Sequence, residues 1–101
     1  MAEWYLFLDD QANEPGIPMR AAPSGWTVAR TSVEAVALVE RQGPPQAMSL
    51  DHDLGGDDTV MRFLRWLADT ATTPPSYTVH SANPVGRDNI ISFMESWKRS
   101  V

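Results

Sequence analysis

Apolar positions in this chain come in short runs, and three of the runs end in ionisable residues. Trp4-Tyr5-Leu6-Phe7-Leu8 stops at Asp9-Asp10, Ala47-Met48-Ser49-Leu50 at Asp51-His52-Asp53, and Ser76-Tyr77-Thr78-Val79 at His80-Ser81. The first is continuous rather than alternating, the mark of a strand covered on both faces. Trp26-Thr27-Val28-Ala29-Arg30 is a further strand candidate. Between the strands the spacing becomes helical. Thr31 and Glu34 form a capping box before Ala35, Val36, Leu38 and Val39, and Gly43-Pro44-Pro45 stops that helix. Val60, Phe63, Leu64 and Leu67 mark a second helix, with Asp57 or Asp58 as its cap. Asn83-Pro84 opens a third, whose stripe is Ile90, Phe93, Met94 and Trp97. The segment from Gln11 to Gly25 holds Pro15, Gly16, Pro18, Pro23 and Gly25 and reads as irregular.

Strands alternating with helices predict a parallel sheet with right-handed crossovers. The expected fold is a minimal flavodoxin-like, three-layer α/β domain covering residues 1–101. It has about four parallel strands in the order 2-1-3-4 and three helices, with a loop in place of the first helix. A parallel return without a helix needs about a dozen residues or more, which the first segment supplies. In such a sheet the strand ends emerge on one edge, and ligands bind in the crevice there. Asp9, Asp10, Asp51, His52, Asp53 and His80 should therefore converge.

Composition narrows the functions. The formal net charge of -5 argues against non-specific nucleic-acid binding but leaves room for a small phosphorylated ligand. The absence of cysteine excludes disulfides and thiolate chemistry and fits a reducing cytoplasm. Met1–Trp4 has no signal-peptide pattern, and no apolar stretch approaches the roughly 20 residues that span a bilayer, so no membrane role is expected.

Carboxylates as close as Asp9, Asp10 and Asp51 repel unless a cation intervenes. No lysine lies near a strand end. A hard divalent ion, Mg²⁺ or alternatively Mn²⁺, is the natural neutraliser. The competing reading is ordinary turn and cap chemistry. The chain's two histidines, His52 and His80, both fall at strand ends. They could serve as base and acid in phosphoester cleavage, ligate a metal, or make structural hydrogen bonds. Ser81, Asn83 and the helix start at Pro84 offer an anion site within reach of Arg87, or ordinary capping beside a solvated arginine. Gly55-Gly56 matches no nucleotide-binding fingerprint. Trp26, Trp66 and Trp97 read as core or partly buried surface.

Leu8-Asp9-Asp10, Ser49-Leu50-Asp51-His52-Asp53-Leu54-Gly55 and His80-Ser81-Ala82-Asn83-Pro84-Val85-Gly86-Arg87 together resemble the cyclic-phosphate-processing receiver domain family. This is a divergent branch of the response-regulator receiver fold, frequent in phages and mobile elements. The resemblance runs over nearly the whole chain. It implies that Asp9, Asp10 and Asp51 hold the metal, and that Ser81 takes the place of a receiver's serine or threonine. His52, Asp53 and His80 are additions that a signalling receiver does not need. A receiver's lysine after a fifth strand is missing, as is its first helix. The basic residue expected soon after the acidic pair is absent from Gln11–Pro15, leaving Arg20 or Arg87 to supply it.

The first functional expectation is a metal-assisted phosphoesterase acting on a cyclic phosphate, such as a 2′,3′-cyclic phosphate or a cyclic nucleotide. Its catalytic residues would be His52, His80 and Asp53, its phosphate ligands Ser81, Asn83 and Arg87, and its metal ligands Asp9, Asp10 and Asp51. The alternative is a non-catalytic binding module that sequesters a nucleotide or blocks a host protein, with Trp26 and Trp66 as contacts. Either would act in the cytoplasm, the host's if the chain is phage-encoded. Signalling through Asp51 phosphorylation ranks last because the lysine is missing.

Overall fold

The computed structural model describes residues 3–17 and 20–101. Met1, Ala2 and Met19 lie outside that set, as does Pro18, one of the breakers assigned to the first loop. Four parallel strands form the sheet: β1 (Tyr5–Leu8), β2 (Thr27–Ala29), β3 (Ala47–Leu50) and β4 (Ser76–Val79). Their spatial order is β2-β1-β3-β4, as the sequence predicts. Helices α1 (Ser32–Gln42), α2 (Val60–Thr70) and α3 (Pro84–Arg99) follow β2, β3 and β4. A loop follows β1 in place of a first helix, as the sequence predicts.

The three helices share one side of the sheet. Leu6, Leu8, Ala29, Met48 and Leu50 join Ala35 and Val39 of α1, Phe63, Leu64 and Leu67 of α2, and Ile90, Met94 and Trp97 of α3 in one buried cluster. Side chains alternate between faces along a strand, so Tyr5, Phe7, Ser49 and Thr78 point the other way. Trp26, just before β2, stacks on Tyr5 with centroids 5.4 Å apart. Crossover handedness accounts for the division. The connections β2-α1-β3 and β3-α2-β4 run in one direction across the sheet, while the loop from β1 to β2 runs back, so it must cross on the opposite face. The helices thus form one outer layer, and the loop supplies the other.

Local signals explain the helix ends. The Thr31 hydroxyl accepts from the Glu34 N–H at 3.0 Å, and Glu34 reaches back to the Arg30 N–H at 2.9 Å. Asn83 caps α3 by accepting from the Gly86 N–H at 3.1 Å, with Pro84 in the first turn. Asp58 behaves otherwise than the sequence suggests. Thr59 is the N-cap of α2, and it makes no side-chain cap bond. Asp58 accepts instead from the backbone N–H and hydroxyl of Ser32, at 2.8 and 2.6 Å. It thus caps the first turn of α1, a tertiary contact that sequence proximity to α2 conceals.

Candidate functional site

The register of the sheet builds the site. Leu8, Leu50 and Val79 are paired across β1, β3 and β4. The ladder continues one residue further: Asp9 N–H donates to Ala29 O, Asp51 N–H to Leu8 O and His80 N–H to Leu50 O, at 3.0, 2.9 and 3.0 Å. Asp9, Asp51 and His80 therefore stand in a row, on the face that carries Phe7 and Ser49. The His80 ring stacks on Phe7 at 4.5 Å. Its Nε2 lies 2.9 Å from Asp9 Oδ2, and its Nδ1 lies 2.8 Å from the Ser49 hydroxyl. A carboxylate only accepts, so Nε2 carries the proton and, in the neutral ring, Nδ1 accepts from Ser49.

Asp9, Asp10 and Asp51 each offer one carboxylate oxygen within 4.8 Å of the others, with Asp9 and Asp51 buried. These residues could hold a metal: the donors are hard oxygens, as divalent cations of the Mg²⁺ kind require. Asp51 strengthens the fit, because its buried Oδ2 has no hydrogen-bond partner. Burial pushes the Asp51 carboxyl above its ordinary range and the neighbouring Asp9 adds to the rise, while Arg20, His80 and a hydrogen bond from Ser81 pull the other way.

Arg20 is the residue that the strand-end pattern does not predict here. Its Nη1 lies 2.8 Å from Asp9 Oδ1, 3.6 Å from Asp10 Oδ1 and 3.7 Å from Asp51 Oδ2. The loop folds to place it. Asn13 adopts a φ of 63°, donates its N–H to Arg20 O at 2.7 Å, and accepts from the Ala22 N–H through Oδ1 at 2.9 Å. The basic residue missing from Gln11–Pro15 is thus delivered from further along the same loop.

His52 and Asp53 form a second group, toward the helices. His52 Nδ1 lies 3.0 Å from Asp53 Oδ1, and Asn83 Nδ2 donates to Asp53 Oδ2 at 3.2 Å. The hydrogen bonds from His52 and Asn83 hold the Asp53 carboxyl below its ordinary range. The imidazole lies against the first turn of α3. A Cβ on Gly86 would fall 2.4 Å from His52 Cγ, so only glycine fits there. Ser81 connects the groups, accepting from the Asn83 N–H at 3.1 Å beside Asp51. Arg87 is set apart: it is exposed and donates to Val79 O at 3.1 Å, at the end of β4. His80 therefore joins the acids, and His52 joins Asp53 and Asn83.

Among the described residues no helix is long and apolar enough to cross a membrane. No curated protein and no solved structure gives a significant match. The family model described as cyclic-phosphate processing receiver domain matches residues 4–96, a span that takes in every strand, the acid row and both histidines. The chain belongs to that family.

Proposed function

We propose that the chain hydrolyses a cyclic phosphate, such as a 2′,3′-cyclic phosphate or a cyclic nucleotide, to a phosphomonoester with the help of Mg²⁺ or Mn²⁺. The observation that carries this reading is the buried, unpartnered Asp51 Oδ2, which faces the Asp9 and Asp10 carboxylates in the row that also holds His80. A cation held by Asp9, Asp10 and Asp51 would polarise the phosphoryl oxygens. A water oxygen forms a bond to phosphorus, one ring P–O bond breaks, and a proton moves from the water to the departing oxygen. His52 suits the base: Asp53 accepts from Nδ1, which leaves the Nε2 lone pair to take the proton. His80 suits the acid in its imidazolium form: Asp9 holds the Nε2 proton, and the second proton, on Nδ1, passes to the departing oxygen once Nδ1 leaves Ser49. Ser81 and Asn83 are the phosphate contacts in this reading, and Arg87 joins them on leaving the Val79 carbonyl.

One observation favours the non-catalytic reading. The Tyr5–Trp26 stack sits on the sheet face that no helix covers, where a nucleotide base or a partner protein could lie against it. A single experiment separates the two readings. A panel of cyclic phosphates is incubated with the chain and Mn²⁺ and followed by ³¹P NMR. Ring opening that falls by roughly 10²–10⁴-fold in His52→Ala and in His80→Ala is expected. Turnover that survives both substitutions removes the histidines from their roles. Tight binding with the ligand recovered intact establishes the binding module.

A further inference from the structure

We propose that Arg20 is a displaceable latch on the acid pocket: its guanidinium holds the place of the divalent cation, and on metal entry it moves to the pocket mouth and binds phosphate. This rests on the reading of Asp9, Asp10 and Asp51 as metal ligands. The geometry makes the two cations exclusive. Nη1 already stands 2.8, 3.6 and 3.7 Å from an oxygen of each carboxylate. A divalent ion would bring the same carboxylates to about 2.0–2.6 Å, which leaves no room for a guanidinium among them.

The fit of the arginine is also incomplete. Nη1 makes a hydrogen bond to Asp9 alone, and the buried Asp51 Oδ2 is left without one. A single nitrogen, Nη1, faces all three carboxylates and bonds one of them, whereas a spherical ion can be met by all three. Asp51 is 2% exposed, so its carboxylate is shielded from bulk solvent.

The segment that carries Arg20 can let it go. Among its described residues it has no strand or α-helix, and the side chain already reaches solvent at 20% exposure. A guanidinium released at the rim of the pocket meets a phosphate held there, and it pairs with phosphate oxygens bidentately. Metal and phosphate should then each strengthen the binding of the other, by the same factor in both directions.

The test uses Mn²⁺ and inorganic phosphate, alone and together, on the chain and on Arg20→Gln, by calorimetry and thermal shift. The expected result is weak Mn²⁺ binding by the unsubstituted chain, strengthened by phosphate. Arg20→Gln should bind Mn²⁺ alone roughly tenfold tighter or better, and phosphate should add nothing. Should removal of the internal cation unfold the metal-free variant, the unsubstituted chain decides. Its Arg20 side-chain N–H signals, observed by ¹⁵N NMR, should shift and exchange faster when Mg²⁺ is added. Mn²⁺ binding that is no tighter in a folded Arg20→Gln overturns the latch, as do Arg20 signals that stay fixed while Mg²⁺ binds. No Mn²⁺ binding by either protein overturns the metal reading itself, and the latch with it.

Discussion

Gly86→Ala sets two effects of similar size against each other. In an unconstrained helix interior, alanine is more stable than glycine by about 1 kcal/mol. Position 86 lies in the first turn of α3, yet the added carbon would fall 2.4 Å from His52 Cγ, 2.7 Å from His52 Cβ and 2.7 Å from His52 Nδ1. Ordinary contact begins near 3.4 Å, so about 1 Å must be recovered at a ring that also bonds Asp53. Overpacking of this kind costs typically about 1–3 kcal/mol. The clash therefore offsets or outweighs the helix gain, for a net loss of about 0–2 kcal/mol. Each kcal/mol lowers the melting temperature by about 4–8 °C in a domain of this size. A double-mutant cycle isolates the contact. His52→Ala would leave the Cβ at 2.7 Å, so the partner substitution is His52→Gly, which removes the three nearest atoms, Cγ, Cβ and Nδ1. In that background Gly86→Ala should stabilise by about 1 kcal/mol, giving a coupling energy above about 1 kcal/mol. The measurement is urea denaturation of the four proteins, with imidazole NMR to follow the His52–Asp53 bond. Gly86→Ala that stabilises the unsubstituted chain and leaves that bond intact would refute the argument that glycine is required to seat His52.

Two further predictions concern stability. Asp58→Ala should lose about 1–2 kcal/mol through the first turn of α1, where Asp58 accepts twice from Ser32, whereas Asp57→Ala, at an exposed position, should stay within about 0.5 kcal/mol; equal melting temperatures for the two would refute the cap. Asp51 gives a pH dependence. Its folded pKa is raised above the ordinary 3.8, so between the two values the folded state binds more protons than the unfolded one, and stability falls as pH rises through that interval. In metal-free buffer Asp51→Asn should therefore gain on the unsubstituted chain as pH rises above 3.8, as read by urea midpoints; a change in the opposite direction would show that Asp51 is held ionised by its neighbours.

Much of the architecture is legible because it follows from one-dimensional signals. Apolar runs that end in Asp9, Asp51 and His80 mark the strands, and Thr31, Glu34, Asn83 and Pro84 mark helix starts. The strand order expected for this alternation, 2-1-3-4, is the order observed. What escapes depends on contacts between distant residues. The sequence leaves Arg20 and Arg87 as alternatives for the missing basic residue; what selects Arg20 is a loop without periodicity, set by the positive φ of Asn13 and its bonds to Arg20 and Ala22. Asp58 stands beside α2 in sequence and caps α1 in space. Ser49 is an interior strand residue with no sequence mark of its own, and only the sheet register brings it to His80.

In the proposed hydrolysis the separation of the two histidines would have a chemical use that a single cluster would lack. Successive residues at a strand end point to opposite faces. Asp51 therefore turns toward Asp9 and His80, while His52 turns toward Gly86 and α3. In phosphoryl transfer the attacking and departing oxygens stand roughly in line, on opposite sides of phosphorus. A base and an acid for that displacement must approach from opposite directions, and two imidazoles on one face would crowd the same oxygen. A phosphate seated over the end of β3, near Ser81, would have His80 on the side of Phe7 and His52 on the side of α3. On this argument the alternation of Asp51 and His52 along the chain is the source of the site's directionality. An insertion of one residue between Asp51 and His52 would leave Asp51 in place and turn His52 onto the acid face, and ring opening should be abolished even if the metal still binds.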